Sequence, residues 1–227
     1  MSETPQPYHI VFLLFDGITQ LDFTGPAQFL ARIPGAVVHT AATSLKPIET
    51  DSGFAIVPNT SLVDCPQADL LCVPGGFGTR DIIQDKEILQ FLRDQAAGAQ
   101  YVTSVCTGSL ALGAAGLLQG KRATTHWAYT SLLEKFGAIY EASRVVQDNN
   151  IITAGGVTSG IDFALNVIAE IAGQPFAEAV QLGLEYDPDP PFNSGHPKVA
   201  DPKLVAMLNA RAYGDALNVL DDLLDAN

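Results

Sequence analysis

One cysteine stands where a strand pattern changes into a helical pattern, a position typical of a catalytic nucleophile. Cys106 follows the apolar run YVTSV and precedes Thr107, Gly108 and a helical pattern over residues 110–118. A strand that turns sharply into a helix at the nucleophile, with a small residue two places on, is the elbow of hydrolase-type sites. The free N–H groups and positive dipole end of such a helix favour the reactive thiolate. Because unpaired cysteines are often buried, a purely structural cysteine is the alternative.

An acidic residue near the start of the first predicted helix is the candidate proton carrier. Asp22 lies in the segment QLDFTGP and opens a helix predicted over residues 22–31. Aspartate at a helix start is commonly an N-cap, which needs no further role. Where such a turn faces a cysteine, burial and the neighbouring thiolate raise the pKa of the carboxyl, which then serves as general acid and base.

Two glycine pairs follow predicted strands and are candidates for close backbone approach to a substrate. Gly75 and Gly76 end the buried strand 69–74, where their N–H groups can form an oxyanion-type pocket. Gly155 and Gly156 follow a predicted hairpin. Ordinary turns and helix entries also explain such pairs, so both interpretations stay open.

Histidine is the usual base of a cysteine nucleophile, but none follows Cys106, and Thr107 stands in that place. Of the four histidines, three lie in predicted strands or in a Pro- and Gly-rich loop. His126, in the segment TTHW, follows a strand and is the one expected near the elbow. It is interpreted either as an accessory residue or as a hydrogen-bonded part of the scaffold.

Buried strand patterns alternate with helical patterns along the chain. Strands are predicted over residues 8–15, 36–42, 54–58, 69–74, 101–105 and 123–125 with a hairpin over 145–153, and helices over 22–31, 81–97, 110–118, 127–136, 159–172, 176–186 and 202–224. This alternation predicts an α/β fold with a mainly parallel sheet and helices on both faces. In such sheets the site lies at the carboxyl ends of the strands, where the turn after residue 15, the Gly75–Gly76 turn and Cys106 all fall.

Composition excludes several classes of protein. The 227 residues are 47% hydrophobic, which favours one large domain. With 25 acidic and 12 basic residues and no basic cluster, the chain is not expected to bind nucleic acid. Three cysteines without a C-x-x-C motif argue against a disulfide framework or a metal site. The polar start and the lack of long apolar runs predict neither signal peptide nor membrane span, and a reducing cytoplasm is expected.

Taken together, these motifs resemble the ThiJ/PfpI superfamily, whose flavodoxin-like α/β fold is related to class I glutamine amidotransferases. The resemblance covers residues 8–192 and rests on YVTSVCTGSL, the PGG turn, QLDFTGP, the Gly155–Gly156 stretch, GAAGLLQGKRATTHWAY and GIDFAL. It implies a single domain over residues 1–227, with a core at about 8–192 and a helical extension at 200–225. Within the superfamily it is nearest to the branch that hydrates isocyanides.

The resemblance also implies residue roles. Cys106 matches the nucleophile, Asp22 the catalytic acid, and Thr107 a hydroxyl near both, while Gly75 and Gly76 match the substrate-side turn. The implied reaction converts isocyanides to N-substituted formamides through a covalent thioimidate, without a cofactor, in a homodimer. The protease branch usually has His after the cysteine. The deglycase branch usually has Glu at the acid position and Ala after the cysteine. Asp22 and Thr107 depart from both patterns.

Two alternatives stay open. The first is another cofactor-free enzyme of the superfamily, either an amidase or protease or a glyoxalase or deglycase. The second is a protein without enzymatic activity, namely a thiol redox sensor or the ligand-binding domain of an AraC-type regulator, which shares the fold and similar TTHW sequence. Such regulators need a C-terminal helix-turn-helix pair, and the roughly 30 residues after Pro197 are acidic, which argues against DNA binding.

Overall fold

The computed structural model describes residues 6–225. Its strands are β1 (Tyr8–Leu13), β2 (Ala36–Ala42), β3 (Ile48–Glu49), β4 (Ala55–Ile56), β5 (Thr60–Ser61), β6 (Leu70–Val73), β7 (Tyr101–Val105), β8 (Arg122–Ala123), β9 (Ile139–Tyr140), β10 (Val145–Asp148) and β11 (Ile151–Ala154). Its α-helices are α1 (Gln20–Leu30), α2 (Thr79–Ile82), α3 (Lys86–Gly98), α4 (Gly108–Ala114), α5 (Ser159–Ala172), α6 (Gln174–Gly183), α7 (Pro202–Leu208) and α8 (Gly214–Asp225).

The main sheet has seven strands in the order β10-β11-β7-β6-β1-β2-β5. All of these pair in parallel except β10, which runs antiparallel to β11 at the edge. Helices α1, α5 and α6 contact one another in one group, and α4 contacts α2 and α3 in another. This is the doubly wound arrangement of flavodoxin-like proteins, so the predicted fold class is confirmed. The carboxyl ends of β1, β6 and β7 lie side by side in the centre of the sheet.

The core is formed by strands that are buried on both faces. In β1, Ile10, Val11, Phe12 and Leu13 are fully buried, as the continuous apolar run predicts. Strand β6 is buried along its whole length in the same way. Complete burial of each large apolar side chain stabilises the fold by about 1.5–3 kcal/mol, so these two strands anchor the turns that follow them.

Several predicted helices have different boundaries in the structure. The helix predicted over 81–97 is two helices, because the side chain of Asp85 accepts the N–H groups of Glu87 and Ile88 and so starts α3 afresh. The segment predicted as a helix over 127–136 forms two 3₁₀ turns that end at Gly137, whose φ is 70°. The strand predicted over 54–58 shortens to two residues, and the two-residue strands β3, β5 and β9 were not predicted. The remaining differences are shifts of element ends by a few residues.

The C-terminal segment is not the single helix predicted over 202–224. A π turn at Asn209–Tyr213 separates α7 from α8, and the N–H of Gly214 donates to the carbonyl oxygen of Asn209 across this wide turn. Helix α8 is held against the core by buried Leu220 and by an ion pair of 2.7 Å between Lys135 and Asp221. No helix within residues 6–225 is both long enough and apolar enough to cross a membrane.

Candidate active site

The predicted elbow is present between β7 and α4. Cys106 has a φ of 57°, in the left-handed region that residues other than glycine rarely adopt. Its N–H donates to the carbonyl oxygens of Ala154 and Gly155 at 3.0 and 2.9 Å. Its own carbonyl oxygen accepts the hydroxyls of Thr125 and Ser109 at 3.0 and 3.2 Å. These four bonds hold the strained backbone, as is common where a turn aims a reactive side chain.

Two glycines let the end of β6 approach the elbow. A Cβ at Gly108 would lie 2.7 Å from the carbonyl carbon of Val73, which is too close for any other residue type. A Cβ at Gly75 would lie 2.6 Å from both the backbone nitrogen and the hydroxyl of Thr107. The close contact of these two turns therefore depends on glycine at both positions.

Asp22 is buried beneath the elbow and does not cap its helix. It is the third residue of α1, whose N-cap is Thr19, so the capping interpretation is wrong. The reason is that the helix begins two residues before the predicted start, at Gln20. Oδ2 of Asp22 accepts the N–H of Gly75 at 3.0 Å, and Oδ1 has no hydrogen-bond partner among the described residues.

Burial dominates the electrostatics of this pair. It raises the pKa of the Asp22 carboxyl to about 7, against the opposing effects of the Gly75 N–H and the Cys106 thiol. Burial, and then the charge of Asp22, raise the pKa of the Cys106 thiol well above its usual value, although the N–H groups of Thr107 and Val157 oppose this. The predicted lowering of the thiol pKa is therefore wrong, because burial and the charge of Asp22 outweigh the nearby N–H groups.

The Gly75–Gly76 turn positions side chains and does not present free donors. The N–H of Gly75 is bonded to Asp22, and the N–H of Gly76 donates to the hydroxyl of Thr107 at 3.0 Å. That hydroxyl also lies 2.9 Å from the hydroxyl of Thr79. The expectation of two N–H groups that face a substrate therefore needs correction in this structure, although Gly76 does line the cavity above Cys106.

His126 lies beside the elbow as expected. Burial lowers the pKa of its imidazole to about 4, so the ring is neutral near pH 7. Its Nδ1 accepts the N–H of Ala128 at 3.3 Å, which assigns the ring proton to Nε2. A Cβ at Gly156 would lie 3.2 Å from Nε2, so this glycine permits close packing on the ring. Such a weak base suits the scaffold interpretation better than a proton relay.

A cavity of about 120 Å³ opens over the sulfur. It is lined by Thr19, Asp51, Gly76, Phe77, Cys106, Thr107, His126, Tyr129, Val157 and Tyr213. Six of these were not predicted from the sequence, namely Thr19, Asp51, Phe77, Tyr129, Val157 and Tyr213. Val157 directly follows the Gly155–Gly156 pair, so the predicted approach of that pair to the site could have pointed to it. Its φ of 34° is rare for a β-branched residue. Tyr129 lies three residues after His126 in the stretch GAAGLLQGKRATTHWAY, whereas no local pattern marks Tyr213, which comes from a segment distant in sequence.

A second cavity, of about 550 Å³, shares His126 and Val157 with the first. Cys106 lines the smaller cavity and not the larger one, and Asp22 lines neither, so the position of Cys106 assigns the chemistry to the smaller cavity despite the difference in size. Within residues 6–225 no group of three or more His, Cys, Asp and Glu side chains is placed to hold a metal ion.

The doubly wound sheet and the strained cysteine beside a buried acid define a class of α/β proteins that carry a cysteine at the central strand–helix elbow. The chain belongs to the DJ-1/PfpI family, which it matches over residues 8–170. The resemblance seen in the sequence motifs is thereby confirmed.

Three relatives illustrate the range of this family. Isonitrile hydratase of Pseudomonas putida is 53% identical over 203 residues, which cover 89% of each chain. The crystal structure of a ThiJ/PfpI family protein from Pseudomonas syringae is 44% identical, with a TM-score of 0.90, and the match covers 97% of this chain and 94% of that one. The HTH-type transcriptional regulator GbdR of Pseudomonas aeruginosa is 29% identical over 189 residues, which cover 80% of this chain but 51% of the regulator.

Proposed function

We propose that this protein hydrates isocyanides to N-substituted formamides. The observation that carries the proposal is the 53% identity to an isonitrile hydratase across 89% of both chains. The site supports it, because the reaction needs one nucleophile and one group that both gives and takes a proton. Cys106 and Asp22 supply these, and the pKa of about 7 for Asp22 suits both directions of transfer near neutral pH.

The first step forms a covalent thioimidate. The Cys106 proton moves to the carboxylate of Asp22, and the N–H groups of Thr107 and Val157 stabilise the sulfur charge. The thiolate then bonds to the terminal carbon of R–N≡C while the carboxyl proton of Asp22 is transferred to that same carbon. The product is R–N=CH–S–Cys106, with Asp22 left as a carboxylate.

The second step releases the product. The Asp22 carboxylate takes a proton from water while the water oxygen bonds to the thioimidate carbon. The C–S bond then breaks, and its electron pair returns to Cys106 as the thiolate. The released R–N=CH–OH tautomerises to the formamide R–NH–CHO, and Asp22 holds its proton again. The thiolate and protonated Asp22 that attacked the substrate are thus regenerated, with one water added to the substrate, and return of the proton from Asp22 to Cys106 restores the starting thiol and carboxylate.

Purified protein should convert a simple alkyl or aryl isocyanide to the matching formamide, because the pair completes the reaction without another reactant except water. Chromatography should detect one formamide for each isocyanide consumed, and water labelled with ¹⁸O should place the label in the formyl group. Metal chelators should leave the rate unchanged. Folded protein that produces no formamide from any isocyanide would refute the proposal.

The same preparation tests the other enzymes of the superfamily. Cleavage of peptides or amides without formamide production, lost on the substitution His126→Gln, would favour an amidase. Conversion of methylglyoxal to lactate would favour a glyoxalase. Binding of a small molecule or oxidation of Cys106 without any turnover would favour a sensor or regulatory domain.

We also propose that the protein is a cytoplasmic homodimer with the site near its interface. The three cysteines are all unpaired, which suits a reducing compartment. Two-fold symmetry is the common arrangement of soluble oligomers, and Leu204, Met207 and Val219 are exposed apolar residues on α7 and α8. Light scattering after gel filtration should give about twice the 24.0 kDa mass of one chain. A fully active species of single-chain mass would rule the dimer out as a requirement.

A further inference from the structure

An aromatic wall lines the cavity above Cys106, and part of it comes from the C-terminal segment. Tyr213 lies in the π turn between α7 and α8, yet its ring packs at 4.9 Å from the His126 ring and 6.1 Å from the Tyr129 ring, measured between centroids. The ring of Trp127 lies 5.4 Å from Tyr213 on an edge-on contact. Phe77 adds a further ring to the cavity lining.

The position of Tyr213 is fixed by packing on several sides. The wide turn places it at the cavity, and α8 behind it is anchored through buried Leu220 and the Lys135–Asp221 ion pair. Burial, and then the nearby Cys106 charge, raise the pKa of the Tyr213 hydroxyl, and the same two causes raise the pKa of Tyr129 to about 12. Both tyrosines line the same cavity as Cys106, so both are placed to contact a substrate bound there.

The shape of an isocyanide directs its substituent toward this wall. The R–N≡C group is linear, so when the terminal carbon meets the sulfur of Cys106 the substituent extends into the remaining cavity. The volume of about 120 Å³ is slightly below the roughly 150 Å³ of an apolar cavity that holds benzene. The enclosed space therefore suits the isocyano group with a compact substituent. Aromatic walls favour apolar groups, and the carboxylate of Asp51 in the lining disfavours anions.

We infer that Tyr213 is a specificity-determining residue and that the cavity selects isocyanides with a neutral, apolar substituent. This inference rests on the proposed hydration. It assigns to the C-terminal segment the role of completing the substrate-binding wall.

The test compares cyclohexyl isocyanide with methyl isocyanide as substrates. Tyr213→Ala should lower kcat/KM for the cyclohexyl substrate about 10-fold, mainly through KM, because a ring contact is lost. For methyl isocyanide, whose methyl group offers much less apolar surface to the ring, the change should stay within about 3-fold. Tyr213→Phe keeps the ring and should keep the preference of the unmodified protein. Tyr140→Ala, at an exposed tyrosine outside this cavity, is the matched control and should change neither value.

Each outcome has a separate meaning. Equal losses for both substrates in Tyr213→Ala and in Tyr213→Phe would show that the hydroxyl acts in the reaction itself, and this overturns the specificity role. An unchanged preference in Tyr213→Ala, with a melting temperature near that of the unmodified protein, also overturns it. Isocyanoacetate should react at least about 10-fold more slowly than its methyl ester, and equal rates would contradict the selection for neutral groups. Hydration of neither isocyanide by the unmodified protein would instead refute the proposed function.

Discussion

Replacement of Cys106 by alanine should abolish isocyanide hydration, with a loss in kcat of about 10⁴-fold or more, because no other group in the cavity can form the covalent intermediate. Alanine keeps the Cβ and the backbone geometry of the elbow, so the fold should persist. Formamide production measures the loss. Intact-mass spectrometry of the unmodified protein, quenched during turnover, should show an adduct equal to one isocyanide, and Cys106→Ala should show none.

The other two cysteines provide matched controls. Neither Cys65 nor Cys72 lines the cavity above Cys106, and burial raises the pKa of Cys65 to about 11 and that of Cys72 to about 12, so neither is placed to attack a substrate there. Cys65→Ser and Cys72→Ala should therefore keep most of the activity, although the second removes a fully buried side chain and should lower the melting temperature. Substantial formamide production by Cys106→Ala would refute the covalent mechanism.

Replacement of Asp22 by asparagine should lower kcat by about 10²–10⁴-fold, because the amide cannot carry a proton to the substrate carbon. The amide oxygen still accepts the N–H of Gly75, so the turn should keep its geometry. Activity should consequently fall far more than the melting temperature. An active Asp22→Asn enzyme would leave Asp22 with a structural role only.

The same substitution should change how stability depends on pH. The pKa of Asp22 is about 7 in the folded protein against 3.8 for an ordinary aspartate. Between these values the folded protein keeps a proton that the unfolded chain has lost, so the free energy of unfolding falls as pH rises from about 4 to about 7. The total decrease is about 4 kcal/mol. The asparagine side chain has no proton to lose in this range, so Asp22→Asn should remove this decrease.

Urea denaturation at pH 4.5 and at pH 8 measures this effect. The unfolding free energy of Asp22→Asn minus that of the unmodified protein should be larger at pH 8 than at pH 4.5. Asp189→Asn is a suitable control, because Asp189 is an exposed carboxylate outside the lining of this cavity. An identical pH dependence in Asp22→Asn and the unmodified protein would mean that Asp22 does not retain its proton on folding.

The sequence by itself determined most of the elements and their alternation along the chain. Continuous apolar runs predicted β1 and β6, because strands covered by helices on both faces need apolar residues at every position. The elbow was also predictable, since the change of pattern at Cys106 and the small Gly108 are local features. Helix ends were less predictable where a side-chain cap, as at Asp85, or a wide turn, as before Gly214, competed with a continuous helical pattern.

Only the tertiary structure decided the chemistry of the site. The raised pKa values of Asp22 and Cys106 reverse the expectation for the thiol, because desolvation is a sum over atoms contributed by many distant segments. The partners of the Gly75 and Gly76 N–H groups and the arrival of Tyr213 at the cavity depend in the same way on how turns and helices pack. Spacing along the chain carries no information about such contacts, since residues far apart in sequence meet only after the sheet and its two helical layers have assembled.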